Sequence, residues 1–207
     1  MGVSVTPRTP HLPVCRNLAL IGGRGAGKSS VATRIAQTHQ DFTLLSLDIL
    51  VRDDCGAATI AEIVEQHGWR EFREREFSAL ERATTFETGA LIDCGGGIVV
   101  DLDDEGREQF SQRKVDLLRN HCVVVYLKHD SDAFRANPAD DGNRPSLSDA
   151  ESFSEIMARR TPWYEAAAHC VVERHRLSEG EITQTVLDAF QSRGGFGEPT
   201  NSVRGSG

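Results

Sequence analysis

The sequence predicts a three-layer α/β domain, in which helices cover both faces of a parallel β-sheet. Short segments that are apolar throughout alternate with amphipathic helical patterns, and no internal repeat of the kind that builds solenoids is visible. Strands that are apolar on both faces are typical of parallel sheets, because helices shield them from water on each side. Ligands of such sheets bind beyond the carboxyl ends of the strands.

The predicted elements follow one another along the chain in a regular order. The strands are Leu18–Ile21, Phe42–Leu45, Ala90–Ile92, Cys122–Leu127 and His169–Val172. Helical patterns lie at about 28–38, 57–67, 69–84, 105–119, 149–168 and 179–190. Residues 1–14 and 192–207 show no periodicity, so we predict flexible tails on either side of a folded domain at 15–191.

Composition excludes several classes of protein. The chain has 207 residues, enough for one full-sized domain, and a formal net charge of −8. This charge argues against a general nucleic-acid binder or a protein of anionic membrane surfaces. No apolar run has the length of a membrane span, and five scattered cysteines fit neither a disulfide framework nor a zinc site. We expect a cytoplasmic protein and, since no helix face remains unexplained, a monomer.

The strongest motif follows the first strand. Gly22-Gly-Arg-Gly-Ala-Gly27-Lys28-Ser29 matches G-x-x-x-x-G-K-[ST] between a strand and a helix, the context that this phosphate-binding loop requires. Its glycines let backbone N–H groups face phosphate oxygens, and the helix dipole favours the anion. Lys28 is expected to contact the β- and γ-phosphates, and Ser29 to bind Mg²⁺. The motif predicts a nucleotide site without naming the reaction.

Two arginines lie on the apolar faces of predicted helices. Arg73 falls between Trp69 and Phe77 at helical spacing, and Arg160 falls between Ile156 and Tyr164. A guanidinium that faces inward is costly unless it meets an anion. The anion is either a structural partner, Glu76 for Arg73 and Glu165 for Arg160, or the carboxylate of a small substrate.

Further blocks connect these features with a known family. They are Leu47-Asp48 followed by Gly56, the segment Gly68-Trp-Arg-Glu-Phe72-Arg73-Glu-Arg-Glu76, the segment Asp93-Cys-Gly95-Gly96-Gly97 with its glycine triplet, the loop Asn143-Arg144-Pro145-Ser-Leu147, and Arg159-Arg160-Thr-Pro-Trp-Tyr164. Together with the phosphate loop they resemble the shikimate kinases over residues 17–176. The resemblance implies a P-loop NTPase fold like that of nucleoside monophosphate kinases, with a five-stranded parallel sheet in the order 2-3-1-4-5. It also implies a helical substrate-binding region at about 48–84 and a mobile lid at about 137–148.

The resemblance assigns roles to individual residues. Gly25, Ala26, Gly27, Lys28, Ser29 and Ser30 would bind ATP, while Asp48, Arg73, Gly95, Gly96, Gly97 and Arg160 would bind shikimate. Asp48 would orient the attacking hydroxyl and accept its proton, the two arginines would hold the carboxylate, and Arg144 in the lid would reach the transferring phosphate. Arg135 lies close to the position of the adenine-stacking arginine but is offset from it. Lys28, Asp48 and Arg144 are the expected catalytic residues.

Each block also has a plainer interpretation. Asp48 could cap a helix after a strand, the glycine triplet could form only a tight turn, and Arg144 could be a solvated loop residue. The chain departs from the family at Ser46, where an acid that helps to organise Mg²⁺ is common. Asp93, which ends an apolar strand, is our candidate to take over part of that role with Ser29.

The implied activity is ATP-dependent phosphorylation of the 3-hydroxyl of shikimate, with Mg²⁺. Two alternatives stay open at this point. One is a kinase for a related hydroxy acid or for aminoshikimate, with the same carboxylate clamp. The other is a non-catalytic, shikimate-kinase-like protein that binds a ligand as a regulator, because a fold does not determine a function.

Overall fold

The computed structural model describes residues 16–128, 152–174 and 177–197. The strands are β1 (Asn17–Ile21), β2 (Thr43–Ser46), β3 (Ala90–Asp93), β4 (Val100–Leu102), β5 (Glu108–Phe110), β6 (Cys122–Lys128) and β7 (Cys170–Glu173). The helices are α1 (Lys28–Thr38), α2 (Leu47–Cys55), α3 (Ile60–Ala83), α4 (Gln112–His121), α5 (Phe153–Ala167) and α6 (Glu179–Ser192). The predicted lid at 137–148 and the tail at 1–14 lie outside the described residues.

Five strands form one parallel sheet in the order β2-β3-β1-β6-β7. Counted among these five strands alone, the order is second, third, first, fourth and fifth, as predicted. β1 therefore lies at the centre of the sheet, between β3 and β6. The chain reverses direction along the sheet at this central strand, and ligands of open α/β sheets bind at such a point.

The apolar residues of β1 are divided between the two faces of the sheet. Leu18 and Leu20 contribute to one core with α1 and α6, whereas Ala19 and Ile21 contribute to a second core with α2, α3, α4 and α5. All four side chains are fully buried. The alternation follows from the two-residue repeat of a strand, and it produces the three layers that the sequence predicts.

The prediction of a helix from residue 105 is wrong for its first part. Residues 100–110 form a β-hairpin, in which β4 and β5 pair antiparallel outside the main sheet, and α4 begins only at Gln112. The Asp103 carboxylate accepts hydrogen bonds from the backbone N–H groups of Glu105 and Arg107, at 3.1 and 2.8 Å, and Gly106 has a φ of 81°. These features stabilise a tight turn in place of a helical start.

One further element differs from the prediction. α2 has no counterpart among the predicted helices, because only Leu47 and Val51 of its nine residues are buried and its hydrophobic periodicity is correspondingly weak. The predicted separation of helices at 57–67 and 69–84 is confirmed, because α3 consists of two helical segments that meet at the non-helical Gly68 (φ 77°, ψ 166°).

The carboxyl end of the described domain extends past the predicted boundary at 191. α6 ends at Ser192, and Phe196 then packs edge-on against Phe190, with ring centroids 5.1 Å apart, and against Phe42. The flexible tail from residue 192 stays a prediction, although these contacts leave the Phe196 ring partly buried.

Two findings concern the cysteines and the apolar character of the helices. The described cysteines, Cys55, Cys94, Cys122 and Cys170, are free thiols. None of the helices in the described part of the chain combines the length and the apolar character that crossing a bilayer requires.

Candidate active site

The phosphate loop joins the central strand β1 to helix α1. Gly27 precedes the helix with a left-handed φ of 77°, and Gly25 has a φ of 73°, a conformation that side chains disfavour. The buried Lys28 donates hydrogen bonds from Nζ to the carbonyl oxygens of Gly22 and Gly23, each at 3.0 Å. The predicted nucleotide residues from Gly25 to Ser30 thus form a turn against a helix N-terminus, which is an arrangement suited to an anion.

Ser29 and Asp93 meet where β3 ends beside the phosphate loop. The Ser29 hydroxyl donates a 2.7 Å hydrogen bond to Oδ2 of Asp93. Oδ1 of Asp93 is buried and has no hydrogen-bond partner among the described residues. Burial raises the pKa of Asp93, while the Ser29 hydrogen bond and the charge of Lys28 act in the opposite direction. The two residues predicted for the metal are therefore in direct contact.

Asp48 stands in the first turn of α2, immediately after β2. The N-cap of α2 is Ser46, so the capping interpretation of Asp48 is wrong, although the helix dipole favours a carboxylate in this first turn. The Asp48 side chain lies against Gly95, because a Cβ atom built there would be 2.8 Å from Oδ1 of Asp48. The carboxylate thereby borders the cavity described below.

The glycine triplet follows β3 and makes room for charged neighbours. A Cβ atom on Gly97 would be 2.5 Å from Cζ of Arg73, and one on Gly96 would be 3.2 Å from the backbone nitrogen of Arg24 in the phosphate loop. Side chains at these positions would therefore displace the arginine or the loop. The triplet is more than a turn, since its backbone forms a wall between the phosphate loop and helix α3.

Arg73 is held within a buried ionic network. Its Nη1 donates to Oε2 of Glu76 at 3.0 Å, and the Nζ of the fully buried Lys114 donates to the same oxygen at 2.9 Å. Burial alone would raise the pKa of Glu76, but the charges of Lys114 and Arg73 hold it below its usual value. The guanidinium also lies 5.3 Å from the ring centroids of both Trp69 and Phe72.

The predicted Glu76 partner of Arg73 is confirmed, yet it does not satisfy the whole guanidinium. Only 4% of Arg73 is exposed, and its Nε has no hydrogen-bond partner among the described residues. A buried donor without an acceptor is costly. Because Arg73 lines the cavity, an anion bound in that cavity can supply the missing acceptor.

Arg160 is paired with a residue that the sequence does not single out. Its Nε donates to Oε2 of Glu108 at 3.0 Å and its Nη2 to Oε1 of the same carboxylate, while Nη1 donates to the carbonyl oxygen of Gly96 at 3.3 Å. The predicted partner, Glu165, is wrong for this role. Glu165 is exposed and pairs with Lys128 at 3.0 Å, because it follows Arg160 by five residues and so faces another side of α5.

One cavity collects most of the predicted substrate residues. It contains about 580 Å³ of space not filled by atoms, part of it open to solvent. The charged side chains of its wall belong to Arg24, Asp48, Arg73, Glu76 and Arg160, and the backbone of Gly95, Gly96 and Gly97 also lines it. Its apolar wall is formed by Ile60, Trp69, Phe72, Phe153, Ile156 and Met157. A small ligand with an apolar ring face, hydroxyl groups and a carboxylate matches this lining.

Among the described site residues, Lys28, Ser29 and Asp93 do not line this cavity. Arg135 and Arg144 lie outside the described residues. Among the described residues, no group of three or more His, Cys, Asp or Glu side chains is placed to hold a metal. Sequence reasoning missed Lys114 and Glu108, which lie far along the chain from the arginines that they support. Only the rarity of a buried lysine on an apolar helix face could have indicated Lys114.

Comparisons with known proteins agree with this geometry. The sequence matches the family model described as shikimate kinase over residues 24–191. A shikimate kinase from Leptospira biflexa is 37% identical over 172 residues, which cover 83% of this chain and 94% of that protein. A shikimate kinase from Leptospira borgpetersenii is 33% identical over 178 residues, which cover 85% of this chain and 98% of that protein.

Solved structures show the same fold. A shikimate kinase from Acinetobacter baumannii, solved in complex with shikimate, has a TM-score of 0.73 and 26% identity over 89% of this chain and 96% of that one. The shikimate kinase of Aquifex aeolicus has a TM-score of 0.67 at 22% identity over 86% of this chain and 98% of that one, which supports the P-loop kinase fold alone. Because the family model spans most of the chain and two relatives exceed 30% identity over most of it, the chain belongs to the shikimate kinase family.

Proposed function

We propose that this protein transfers the γ-phosphoryl group of ATP to the 3-hydroxyl of shikimate, giving shikimate 3-phosphate. One observation carries the proposal: the cavity beside the phosphate loop is lined by two buried arginines, and Nε of Arg73 lacks an acceptor among the described residues. A carboxylate on a small ring is the anion that this arrangement fits. Membership of the shikimate kinase family supports the same substrate.

The two arginines would orient the substrate through its carboxylate. Arg73 approaches from α3 and Arg160 from α5, and both are at least 96% buried, with exposures of 4% and 3%. Hydrogen bonds between guanidinium and carboxylate are strong and directional, especially where water is excluded. Binding of this end of the ring would fix where its hydroxyl groups lie, which is the main contribution of positioning to phosphoryl transfer.

Two other residues would contribute to the chemical step. Asp48 would accept a hydrogen bond from the attacking hydroxyl and take up its proton as the oxygen–phosphorus bond forms. Lys28 would turn from the carbonyl oxygens of Gly22 and Gly23 to the phosphate oxygens. Its charge and the N–H groups of the loop would stabilise the negative charge on the transferring group.

The residues present fit a magnesium ion. Ser29 and Asp93 offer the oxygen donors that Mg²⁺ prefers, and the buried Oδ1 of Asp93 has no hydrogen-bond partner among the described residues. We propose that these two residues hold the ion directly or through water. When bound, the ion neutralises charge on the phosphates of ATP.

Two arginines complete the proposal from outside the described residues. Arg144 would contact the transferring phosphate from the lid at 137–148, and Arg135 would contact the adenine. Closure of that lid would exclude water and limit ATP hydrolysis. The monomeric state and the cytoplasmic location stay predictions.

The first prediction concerns Arg73→Met. Because charge-assisted hydrogen bonds contribute about 1.5–3 kcal/mol each, we expect the KM for shikimate to rise roughly 10- to 150-fold. The KM for ATP should change less than about twofold, because the proposal assigns Arg73 to the substrate carboxylate and not to ATP. The measurement is ADP release in a coupled assay, with shikimate and ATP varied separately. Arg75→Met is the matched control. Arg75 lies two residues beyond Arg73 on the same helix and pairs with Glu71.

An equal rise of both KM values would contradict the assignment of Arg73 to the carboxylate. The same assay separates the alternatives for the unsubstituted protein. Stimulation of ADP release by shikimate supports the proposal, whereas stimulation only by aminoshikimate or another hydroxy acid identifies a related kinase. Ligand binding without turnover would indicate a regulator.

A further inference from the structure

Glu108 is the acidic residue that joins the β-hairpin to the substrate cavity. It begins β5, and its side chain is 18% exposed beside an Arg160 side chain that is 3% exposed. Both carboxylate oxygens bind Arg160, and Oε2 also accepts hydrogen bonds from Nη2 and Nε of Arg159, at 2.9 and 3.2 Å. Among the described residues, Glu108 is the carboxylate that pairs with Arg160.

The geometry of this pair leaves part of Arg160 for a ligand. Glu108 occupies the edge of the guanidinium formed by Nε and Nη2, and Nη1 contacts the carbonyl oxygen of Gly96. A guanidinium has five N–H groups; these contacts use three of them, and the Tyr164 hydroxyl is a further hydrogen-bond partner of Arg160. Arg160 and Gly96 both line the cavity. The orientation of the remaining donors is therefore set from one side by Glu108 and from the other by the glycine triplet.

The charges of this cluster also favour an anionic ligand. Burial would raise the pKa of Glu108, but hydrogen bonds and charges from Arg160 and Arg159 hold it below its usual value, so the group is anionic at neutral pH. One carboxylate shared by two arginines leaves a net charge of +1. Arg73 and Lys114 likewise share the carboxylate of Glu76, and Lys114 also pairs with Asp101 at 3.2 Å.

We propose that Glu108 is a positioning residue for substrate binding, which holds the Arg160 guanidinium in the orientation that receives the substrate carboxylate. Arg159 shares this carboxylate and so prevents Glu108 from neutralising the clamp. This inference rests on the proposed function, because it assumes that Arg160 binds the carboxylate of shikimate. Glu108 itself does not touch the substrate.

The test is a double-mutant cycle on Glu108 and Arg160. Glu108→Gln keeps the shape of the side chain and removes its charge, and we expect the KM for shikimate to rise about tenfold, a coupling near 1.4 kcal/mol. The KM for ATP should change less than about twofold, and kcat less than about threefold. In an Arg160→Met background, Glu108→Gln should raise the KM for shikimate no further, since its only route to the substrate is gone.

Two variants serve as controls for this experiment. Glu105→Gln removes an exposed carboxylate from the turn of the same hairpin, where it pairs with Arg107, and it should leave every constant unchanged. Glu108→Asp keeps the charge but is one methylene shorter, so its carboxylate does not reach the Arg160 guanidinium in the same position. A rise of about threefold in the KM for shikimate is expected, and this variant replaces Glu108→Gln if the latter does not fold.

The outcomes distinguish failure of this inference from failure of the proposed function. If the unsubstituted protein neither binds nor phosphorylates shikimate, both are overturned. If it phosphorylates shikimate normally and Glu108→Gln changes nothing, only the role of Glu108 is overturned. A lower KM in Glu108→Gln would also overturn it, because Glu108 would then compete with the substrate for Arg160. Equal effects in both backgrounds would reveal a general structural role instead.

Discussion

Asp93 is a buried carboxylate, and its surroundings act on its pKa in opposite directions. Its carboxylate is only 7% exposed, and burial raises its pKa, yet it faces Ser29 and the charge of Lys28. A carboxylate that is kept in such a place at a cost in stability is typical of a functional group. We explain it by the metal that the proposed reaction requires, which Asp93 would hold together with Ser29.

This explanation predicts a specific behaviour for Asp93→Asn. Loss of a carboxylate that holds or supports the metal should raise the Mg²⁺ concentration needed for half-maximal activity about 10- to 100-fold. The same rise should appear without turnover, when binding of ADP is titrated by calorimetry at several Mg²⁺ concentrations. The melting temperature should not fall, because the neutral amide carries no charge to desolvate.

Asp104→Asn is the matched control for Asp93→Asn. Asp104 is exposed in the turn between β4 and β5. It should leave the Mg²⁺ dependence unchanged. An unchanged Mg²⁺ dependence in Asp93→Asn itself would contradict the assignment.

At the scale of elements, helix α3 depends on a break in its middle. Gly68 has φ 77° and ψ 166°, a conformation that is available almost only to glycine, and no atom lies within 4 Å of a Cβ built there. A side chain at Gly68 would therefore destabilise the fold through backbone strain and not through steric clashes. The break lets the segment from Trp69 onward lie at its own angle, with Phe72, Arg73 and Glu76 facing the cavity.

The prediction at this scale compares two glycine-to-alanine substitutions. Gly68→Ala should lower the free energy of unfolding by about 1–3 kcal/mol, because alanine must adopt the strained conformation or straighten the helix. Gly180→Ala, in the first turn of α6, should raise it by about 0.4–1 kcal/mol, because that glycine is helical and a Cβ there meets nothing closer than 3.6 Å. Urea unfolding measures both values, and a stabilising Gly68→Ala would contradict the argument.

The hairpin β4–β5 shows why an element can escape prediction. Its sequence, from Val100 to Phe110, contains few apolar residues and several acids, as an exposed helix start does. The choice between the two depends on the turn around Asp103 and on the pairing of Glu108 with arginines of α5. Those arginines are more than fifty residues away in sequence, so no local pattern contains this information.

At the scale of the whole molecule, a net charge of −8 coexists with a cationic cavity. The fold achieves this by placing a few cations inside, among them Lys28, Arg73, Lys114 and Arg160, and by pairing several carboxylates with them. Stability should therefore depend on those carboxylates staying ionised. Burial alone would raise the pKa of Asp101, but hydrogen bonds from Arg113 and Ser111 and the nearby Lys114 lower it from 3.8 to about 2.

The pH dependence follows from the direction of this shift. A carboxylate whose pKa is lower in the folded than in the unfolded chain contributes stability that is present above its unfolded pKa and is lost as the pH falls through its folded pKa. For Asp101 this window lies between about pH 4 and pH 2. The free energy of unfolding of Asp101→Asn should accordingly fall less steeply with acid than that of the unsubstituted protein.

Urea denaturation at a series of pH values measures this slope. Asp116→Asn, on the exposed face of α4, is the control and should keep the original slope. Equal slopes for Asp101→Asn and the unsubstituted protein would mean that the ion pairs of Asp101 contribute nothing to acid stability.

The sequence by itself determined the α/β class, the five strands of the sheet, the phosphate loop and the two inward-facing arginines. These features arise from backbone geometry and burial within single elements, which residue spacing reports directly. Only the tertiary structure decided which charged side chains pair with Arg73 and Arg160, where the hairpin lies and that Phe196 packs against Phe190. Those contacts depend on packing between segments far apart in sequence, and the spacing of residues within one segment does not report them.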